Sequence, residues 1–277
     1  MANTQHFKFN TQNVNLHILN RENLLMDKID IRVVKASFRE CPISDRKIFS
    51  KSKCIMPISV GQHVHEGKKF LATIKLINTS FNKCTILIDD SVQRHTMKID
   101  NAKNDDFLYQ MAVKAGDDWL ERNEAAYKQL TIPYNIMRWD DWLASATYKN
   151  SYERVKKHYD AHEFYKKEIQ ANIEEFLSRY LGRFSDKSQV DYKRAFSLCL
   201  GYLLEECAVM CLWVEKEYDF EIYPSGRNKA MAATYEHLIK PAYPNFLKSV
   251  ALRFKKYPGQ PFINQPQPTV AAISIRT

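Results

Sequence analysis

Short apolar runs alternate with longer helical patterns along this chain. Runs typical of buried strands cover residues 29–34, 54–59 and 84–89. A pattern with apolar residues at helical spacing covers 65–78, between the second and third runs. Strand, helix and strand in close succession indicate a parallel βαβ unit.

The remaining pattern continues the alternation. The elements it predicts are, in order, a helix over 105–130, a strand over 134–139, helices over 151–181 and 187–216, and strands over 218–223 and 250–255. Together they predict a doubly wound α/β fold, with a mainly parallel sheet flanked by helices. We expect a polar arm over 1–25, a single domain over 26–257, and an extended or mobile tail over 258–277.

Composition narrows the functional classes. The 277 residues include only 7 glycines, and neither GxGxxG nor GxxxxGK[ST] occurs, which removes the main support for dinucleotide-binding and P-loop NTPase functions. Lys and Arg exceed Asp and Glu by 41 − 32 = 9, a balance that favours a polyanionic partner. Six cysteines form no CxxC pair, so buried free thiols are favoured over a metal site or disulfides.

The apolar stretches do not predict a membrane segment. The beginning of the sequence has no apolar core of signal-peptide length, and the most apolar stretch, 195–214, is interrupted by Glu205 and Glu206. We therefore expect a soluble cytoplasmic protein with no membrane partner.

Ser59 is the first candidate for chemistry. It closes a predicted strand within Pro57-Ile58-Ser59-Val60-Gly61-Gln62 and precedes a predicted helix. Ligands of open parallel sheets bind beyond the carboxyl ends of the strands, where a serine can act as a nucleophile. A serine at such a turn is more often a cap or a structural hydrogen-bonding group.

A carboxylate on an apolar helix face is the second candidate. The face is formed at helical spacing by Ala195, Leu198, Cys199, Tyr202, Glu206, Val209, Met210 and Trp213. A buried carboxylate requires a partner, so Glu206 either pairs with an Arg or Lys or faces a ligand. Tyr202 lies one turn earlier, so the two side chains are placed to share an amine.

Two further motifs carry side chains that could take part in chemistry. Tyr223-Pro224 ends a predicted strand, which places a phenol at the sheet edge of Ser59, although such a tyrosine is also typical of a core. His63-Val-His65-Glu66 lacks the spacing of a metal motif, so we expect no metal.

These features together resemble the tRNA-dependent cyclodipeptide synthases. The resemblance rests on Ile58-Ser-Val-Gly61, Tyr202-Leu-Leu-Glu-Glu206 and Tyr223-Pro224, in family order, and spans about residues 29–255. Tyr223-Pro224 in place of Tyr-His, and Gln62 in place of Asn, resemble the Tyr-Pro branch of that family.

The resemblance implies a Rossmann-like fold similar to the catalytic domain of class Ic aminoacyl-tRNA synthetases, without ATP or another cofactor. It implies that Ser59 takes an aminoacyl group from one aminoacyl-tRNA and passes it to the amine of a second, after which the dipeptide cyclises to a diketopiperazine. Tyr202 and Glu206 would hold the first ammonium group, and Tyr223 would position or relay protons. No histidine falls at a family motif position, and a monomer is the expected state.

The resemblance also assigns binding residues. Those implied for substrate are Ile55, Pro57, Gly61, Gln62, Ile86, Val209, Met210 and Glu221. Basic side chains offered for tRNA are Lys68, Lys69, Lys75, Arg94, Lys98, Lys114, Arg122 and Lys128. Pro57 stands where the better-known branch has glycine, which favours a small first residue such as alanine, and Gly226 stands where that branch has a carboxylate.

Two other functions remain open from the sequence. A tRNA-binding relative of a synthetase domain would keep the basic surface without requiring Ser59, Tyr202 and Glu206 to converge. A serine hydrolase requires a histidine base, and the GxSxG motif is absent.

Overall fold

A six-stranded sheet organises the protein. The computed structural model describes residues 33–39, 41–101, 103–182 and 190–258, of which those within 34–255 form one compact unit. The strands are β1 (Val33–Arg39), β2 (Lys53–Ser59), β3 (Lys83–Asp89), β4 (Tyr134–Arg138), β5 (Phe220–Ile222) and β6 (Lys248–Tyr257). Their order in the sheet is β1-β6-β5-β2-β3-β4.

Strand β2 is the point from which the sheet extends in both directions. It pairs in parallel with β3 and with β5, and the β3–β4 and β5–β6 pairs are also parallel. The chain adds β3 and β4 on one side of β2, then returns to add β5 on the other side. In an open α/β sheet this switch point leaves a crevice at the carboxyl ends of the strands.

Helices cover both faces of the sheet. They are α1 (Ile43–Arg46), α2 (Gly67–Asn78), α3 (Arg94–Met97), α4 (Asp105–Tyr127), α5 (Trp139–Leu143), α6 (Tyr148–Ala161), α7 (Glu163–Leu181), α8 (Tyr192–Trp213) and α9 (Lys229–Thr234). Side chains of α2 and α4 share one hydrophobic cluster with the sheet, and side chains of α6, α7 and α8 share another. The prediction of a mainly parallel sheet flanked by helices is confirmed.

Both faces of the central strands are buried, which explains why β2 and β3 are apolar without alternation. Met56 and Ile88 belong to the cluster with α2 and α4, whereas Ile55 and Leu87 belong to the cluster with α8. All four side chains are at most 1% exposed. Which cluster a side chain of β2 or β3 joins therefore depends on its position in the alternation along the strand, because the residue types do not differ between the two faces.

Most predicted elements are present, with ends that differ by up to a few residues, whereas the short helices α1, α3, α5 and α9 have no counterpart in the sequence prediction. Two predicted elements differ further. The predicted helix over 151–181 is divided into α6 and α7 at His162, whose backbone is extended at φ −115° and ψ 103°. Neither proline nor glycine marks that break. The predicted strand over 29–34 lies outside the described residues apart from its last two, which begin β1.

The predicted arm over 1–25 lies outside the described residues, as does the predicted tail over 258–277 except for Pro258. The boundaries of the single domain over 26–257 therefore stay a prediction.

A buried carboxylate joins α8 to the carboxyl end of the sheet. Glu205 accepts hydrogen bonds from Arg94 Nη1 at 2.9 Å and Nη2 at 2.5 Å, from His95 Nε2 at 3.1 Å, and from Trp139 Nε1 at 2.8 Å. Burial raises the pKa of Glu205, but the hydrogen bonds and charge of His95 and Arg94 outweigh it and lower the pKa overall. Glu205 thus remains an anion inside the protein.

The segment Tyr192–Lys216, which contains α8, is long and apolar enough to cross a membrane by length and composition, with a mean hydropathy of 1.6. In this protein 67% of the 18-residue apolar stretch within this segment is buried. Its apolar side chains, including Val209 and Trp213, pack in the hydrophobic cluster against the sheet. The core packing of α8 therefore accounts for its apolar sequence.

Replacing Glu205 by glutamine is expected to lower the free energy of unfolding by about 3–5 kcal/mol at neutral pH, because the Arg94 guanidinium then keeps no charged partner. Urea unfolding followed by tryptophan fluorescence measures this change. Glu174→Gln, on the exposed side of α7, is the matched control and should leave stability unchanged. Equal stability of the two variants would contradict a structural role for the Glu205 ion pair.

Candidate active site

Ser59 and Tyr223 meet where β2 and β5 end. Ser59 is the last residue of β2, and Tyr223 directly follows β5, the parallel neighbour of β2. The Ser59 Oγ and the Tyr223 hydroxyl oxygen lie 2.8 Å apart, within hydrogen-bond distance. Burial raises the pKa of Tyr223 to about 12, so the phenol keeps its proton near neutral pH. The sequence placed these two side chains at one sheet edge, and the structure brings them into contact.

His65 contacts both Ser59 and Tyr223. Its Nδ1 accepts a hydrogen bond from the Ser59 backbone N–H at 3.0 Å, and its ring meets the Tyr223 ring edge to face, with centroids 5.2 Å apart. Burial lowers the pKa of His65 to about 4, so the imidazole is neutral. His65 therefore orients the backbone of Ser59, because its Nδ1 contacts the backbone N–H and carbonyl oxygen of this residue.

No site role for a histidine was predicted from the sequence, and His65 shows that one packs against the nucleophile candidate. The sequence signal for His65 is His63-Val-His65-Glu66, a segment that resembles a metal motif more than a support for a serine. In the described part of the chain, no group of three or more His, Cys, Asp or Glu side chains is arranged to hold a metal ion.

Glu206 and Tyr202 face the same crevice from α8. Burial raises the pKa of Glu206 to about 7, and Asn228 Nδ2 donates to its Oε2 at 3.3 Å. Burial likewise raises the pKa of Tyr202 well above its usual value. The alternative of a carboxylate paired with arginine describes its neighbour Glu205, whereas Glu206 opens to the crevice.

The crevice is a cavity of about 570 Å³. Its wall includes Ser59, Tyr202, Glu206 and Tyr223, together with Pro57, Gln62, Asp89, Cys199, Leu203, Trp213, Glu221, Ser225, Arg227, Asn228 and Met231. The four predicted catalytic side chains thus share one cavity. Pro57, Gln62 and Glu221, predicted to bind substrate, also line it.

Glu221 has an internal cation, unlike Glu206. The Arg227 Nε donates to Glu221 Oε2 at 2.6 Å, and the side chains are 7% and 1% exposed. The Arg227 guanidinium also lies 4.2 Å from the centre of the Tyr235 ring. Glu221 is therefore largely neutralised at the cavity wall.

Four predicted substrate-binding side chains are fully buried and are not part of the cavity wall. Ile55, Val209 and Met210 belong to the hydrophobic cluster that contains α8. Ile86 belongs to the cluster on the opposite face, which corrects its expected place in the pocket, because adjacent strand residues point to opposite faces. Gly61 forms the turn after β2 with φ 86° and also lies outside the wall.

Asp89 is a cavity residue that the sequence analysis did not single out. It ends β3 and lies directly across from Ser59 in the strand register. The side chain is 4% exposed, and its Oδ1 has no hydrogen-bond partner in the described residues. Its signal in the sequence was a carboxylate at the end of a buried strand.

The basic side chains predicted to contact tRNA differ in their surroundings. Lys68 and Lys75 are exposed on α2, and Lys69 lies 5.8 Å from the centre of the Phe254 ring. The others form ion pairs: Lys98 with Asp105, Lys114 with Asp118, Arg122 with Glu66, Lys128 with Glu124, and Arg94 with Glu205. Arg94 is the one committed to a buried partner, and its tRNA contact stays a prediction.

Known proteins share this architecture. A CDPS from Fluoribacter dumoffii is 64% identical with a TM-score of 0.79, and the alignment covers 82% of this chain and all of that one. A cyclodipeptide synthase from Candidatus Glomeribacter gigasporarum bound to Phe-tRNAPhe is 18% identical with a TM-score of 0.63, covering 78% and 93% of the two chains.

A Mycobacterium tuberculosis protein, whose structure relates cyclodipeptide synthetases to type I tRNA synthetases, is 11% identical with a TM-score of 0.57, covering 83% and 98%. Neither a family model nor a curated protein matches the sequence. Similarity at 11% and 18% identity establishes a shared fold only. Identity of 64% over the whole length of the Fluoribacter dumoffii protein establishes the family. This chain belongs to the cyclodipeptide synthase family of aminoacyltransferases.

Proposed function

We propose that this chain joins two aminoacyl groups, each delivered by an aminoacyl-tRNA, through successive aminoacyl and dipeptidyl esters of Ser59. The observation that carries the proposal is the convergence of Ser59, Tyr223, Tyr202 and Glu206 on one cavity. The relative from Candidatus Glomeribacter gigasporarum is a complex with Phe-tRNAPhe, which supports a charged tRNA as the substrate.

In the first step the Ser59 Oγ forms a bond to the ester carbonyl carbon, and the bond from that carbon to the ribose oxygen breaks. The serine proton passes to the departing ribose oxygen. The Tyr223 hydroxyl, 2.8 Å from Oγ, is placed to relay it because a neutral phenol both donates and accepts a hydrogen bond. An ester is already activated, so a histidine base on Oγ is not required.

Tyr202 and Glu206 hold the ammonium group of the first aminoacyl substrate. An ionised Glu206 without a cation is costly in a buried position, and a bound ammonium removes that cost. The second amine attacks the carbonyl carbon of aminoacyl-Ser59, the bond from that carbon to the Ser59 Oγ breaks, and a dipeptidyl-tRNA forms as the serine regains a proton. The Ser59 Oγ then attacks the ester of the dipeptidyl-tRNA, and the second ribose oxygen leaves with the serine proton, which gives dipeptidyl-Ser59. The free amine of the dipeptide attacks this ester to close the ring, and its proton returns to the Ser59 oxygen.

Pro57 limits the space for the first side chain. It is buried and lines the cavity. Its rigid ring stands two residues before Ser59, on the same side of β2. We propose a small first residue such as alanine on this ground.

Lys68 and Lys75 are the strongest candidates for tRNA phosphates, because both are exposed on the helix that follows Ser59. The net charge of +9 has the sign that such binding requires. We further propose membership of the Tyr-Pro branch from Tyr223-Pro224. A cytoplasmic location is consistent with the six free cysteines, all of them buried. A monomer is proposed from the family resemblance alone.

Incubation with aminoacyl-tRNA should add one aminoacyl mass to the wild-type protein, measured by intact mass spectrometry, and Ser59→Ala should abolish the adduct. Ser225→Ala is the matched control, because Ser225 also lines the cavity but is exposed at its wall. An adduct on Ser59→Ala, or its loss in Ser225→Ala alone, would exclude Ser59 as the acylated residue.

The rate of acylation should rise with pH through the Glu206 pKa of about 7, because only the carboxylate pairs with ammonium. Glu206→Gln should remove that rise and lower kcat/KM for acylation about 10- to 100-fold, the loss of one charge-assisted hydrogen bond. Rapid-quench acylation measured across the pH range checks both effects.

Stability gives the control for this variant. The folded-state pKa of Glu206 is raised, so its contribution to stability is present at low pH and is lost as pH rises through about 7. Glu206→Gln should therefore be at least as stable as wild type in mildly alkaline buffer. Unchanged acylation in a folded Glu206→Gln variant would contradict ammonium binding by this carboxylate.

A further inference from the structure

Asp89 is the cavity carboxyl for which the proposed reaction has no use so far. The strand order β5-β2-β3 places Ser59 between two neighbours at one sheet edge. Tyr223 follows β5 on one side, and Asp89 ends β3 on the other. Adjacent strands lie about 4.8 Å apart, so Asp89 is within one strand spacing of the reacting serine.

The register also fixes the face. Ser59 and Asp89 are Cα partners at the end of the parallel β2–β3 ladder, as Pro57 and Leu87 are two residues earlier. Partners in a ladder point to the same side of the sheet. Asp89 therefore points to the side of Ser59, and it lines the same cavity.

The three carboxyl groups of this part of the cavity differ in their partners. Glu221 is bound by Arg227, and Glu206 accepts from Asn228. Asp89 is 4% exposed, and its Oδ1 has no partner in the described residues. A buried polar atom without a partner costs free energy unless a ligand supplies one.

Other acidic groups lie near the Asp89 carboxyl. Burial raises its pKa well above the usual value, and the charges of Glu206, Asp90 and Glu221 raise it further. Asp90 itself is bound to Arg138, so the Arg138 guanidinium is committed to the neighbouring carboxyl. A positively charged or proton-donating ligand group would satisfy the Asp89 carboxyl.

We propose that Asp89 binds the α-amino group of the second aminoacyl substrate and holds it beside the carbonyl of aminoacyl-Ser59. This inference rests on the proposed acylation of Ser59. With the first ammonium on Glu206, Asp89 is a cavity carboxyl next to Ser59 whose Oδ1 has no partner among the described residues. The Asp89 carboxylate takes one proton from the bound ammonium, so that the nitrogen can attack the ester from the β3 side, opposite to Tyr223. The second proton passes to the Ser59 Oγ, beside which the Tyr223 hydroxyl lies.

Acylation and transfer can be measured as separate steps, which distinguishes binding of the second amine by Asp89 from binding of the first. Wild type and Asp89→Asn are first acylated with one aminoacyl-tRNA, and the adduct is measured by intact mass. A second aminoacyl-tRNA is then added, and loss of the adduct and formation of the cyclic dipeptide are followed. Asp89→Asn should acylate at the wild-type rate, raise the KM for the second aminoacyl-tRNA, and lower kcat/KM for transfer about 10- to 100-fold.

Hydroxylamine serves as the matched acceptor. It is a small neutral amine in mildly alkaline buffer, so its attack on aminoacyl-Ser59 requires no carboxylate to hold an ammonium group. Wild type and Asp89→Asn should release the acyl group to hydroxylamine at equal rates. Asp100→Asn, at an exposed position, should match wild type in every step.

Asp89→Ala is the second variant and should show the same division between normal acylation and slow transfer. Both variants should unfold at or above the wild-type midpoint, because no ion pair in the described residues depends on Asp89. Slow acylation in both would place Asp89 at the first substrate and overturn the proposal, as would normal transfer in either. If wild type itself forms no adduct, the acylation of Ser59 fails as well, which identifies the proposed function as the point of failure.

Discussion

The pairing of β2 between β3 and β5 is the constraint on which the site depends. Parallel hydrogen bonding brings the ends of three strands to one edge, so Asp89, Ser59 and Tyr223 lie in a row although they are far apart in sequence. Helix α8 then closes the crevice with Tyr202 and Glu206. A shift of one residue in β2 would turn Ser59 to the opposite face of the sheet.

Two adjacent carboxylates on α8 have different roles because their side chains point to different surroundings. Glu205 is surrounded by Arg94, His95 and Trp139 and remains ionised, which ties α8 to the segments that follow β3 and β4. Glu206 turns toward the cavity, where burial raises its pKa to about 7. The first stabilises the wall of the cavity, and the second is free to change partner when an amine enters.

Much of this arrangement is readable from sequence because parallel strands and amphipathic helices have strong periodic patterns. The strand ends predicted the meeting of Ser59 and Tyr223, and helical spacing placed Tyr202 with Glu206. Continuous apolar strands do not reveal which face a residue takes, which is why Ile86 was expected in the pocket although it packs on the opposite face of the sheet. The contacts of Asp89 and His65 depend on strand register and turn geometry, which leave no periodic pattern in the sequence. The break between α6 and α7 at His162 has no periodic pattern either.

The central claim is that this cavity converts two aminoacyl-tRNAs into one cyclic dipeptide. Mass spectrometry of the medium from a bacterial host expressing the chain tests it most directly, with the Ser59→Ala strain grown in parallel. The account predicts a diketopiperazine from wild type alone, whose mass narrows the two residues joined and is consistent with a small first one. A soluble wild-type protein that binds tRNA but yields no diketopiperazine in either culture would contradict the account.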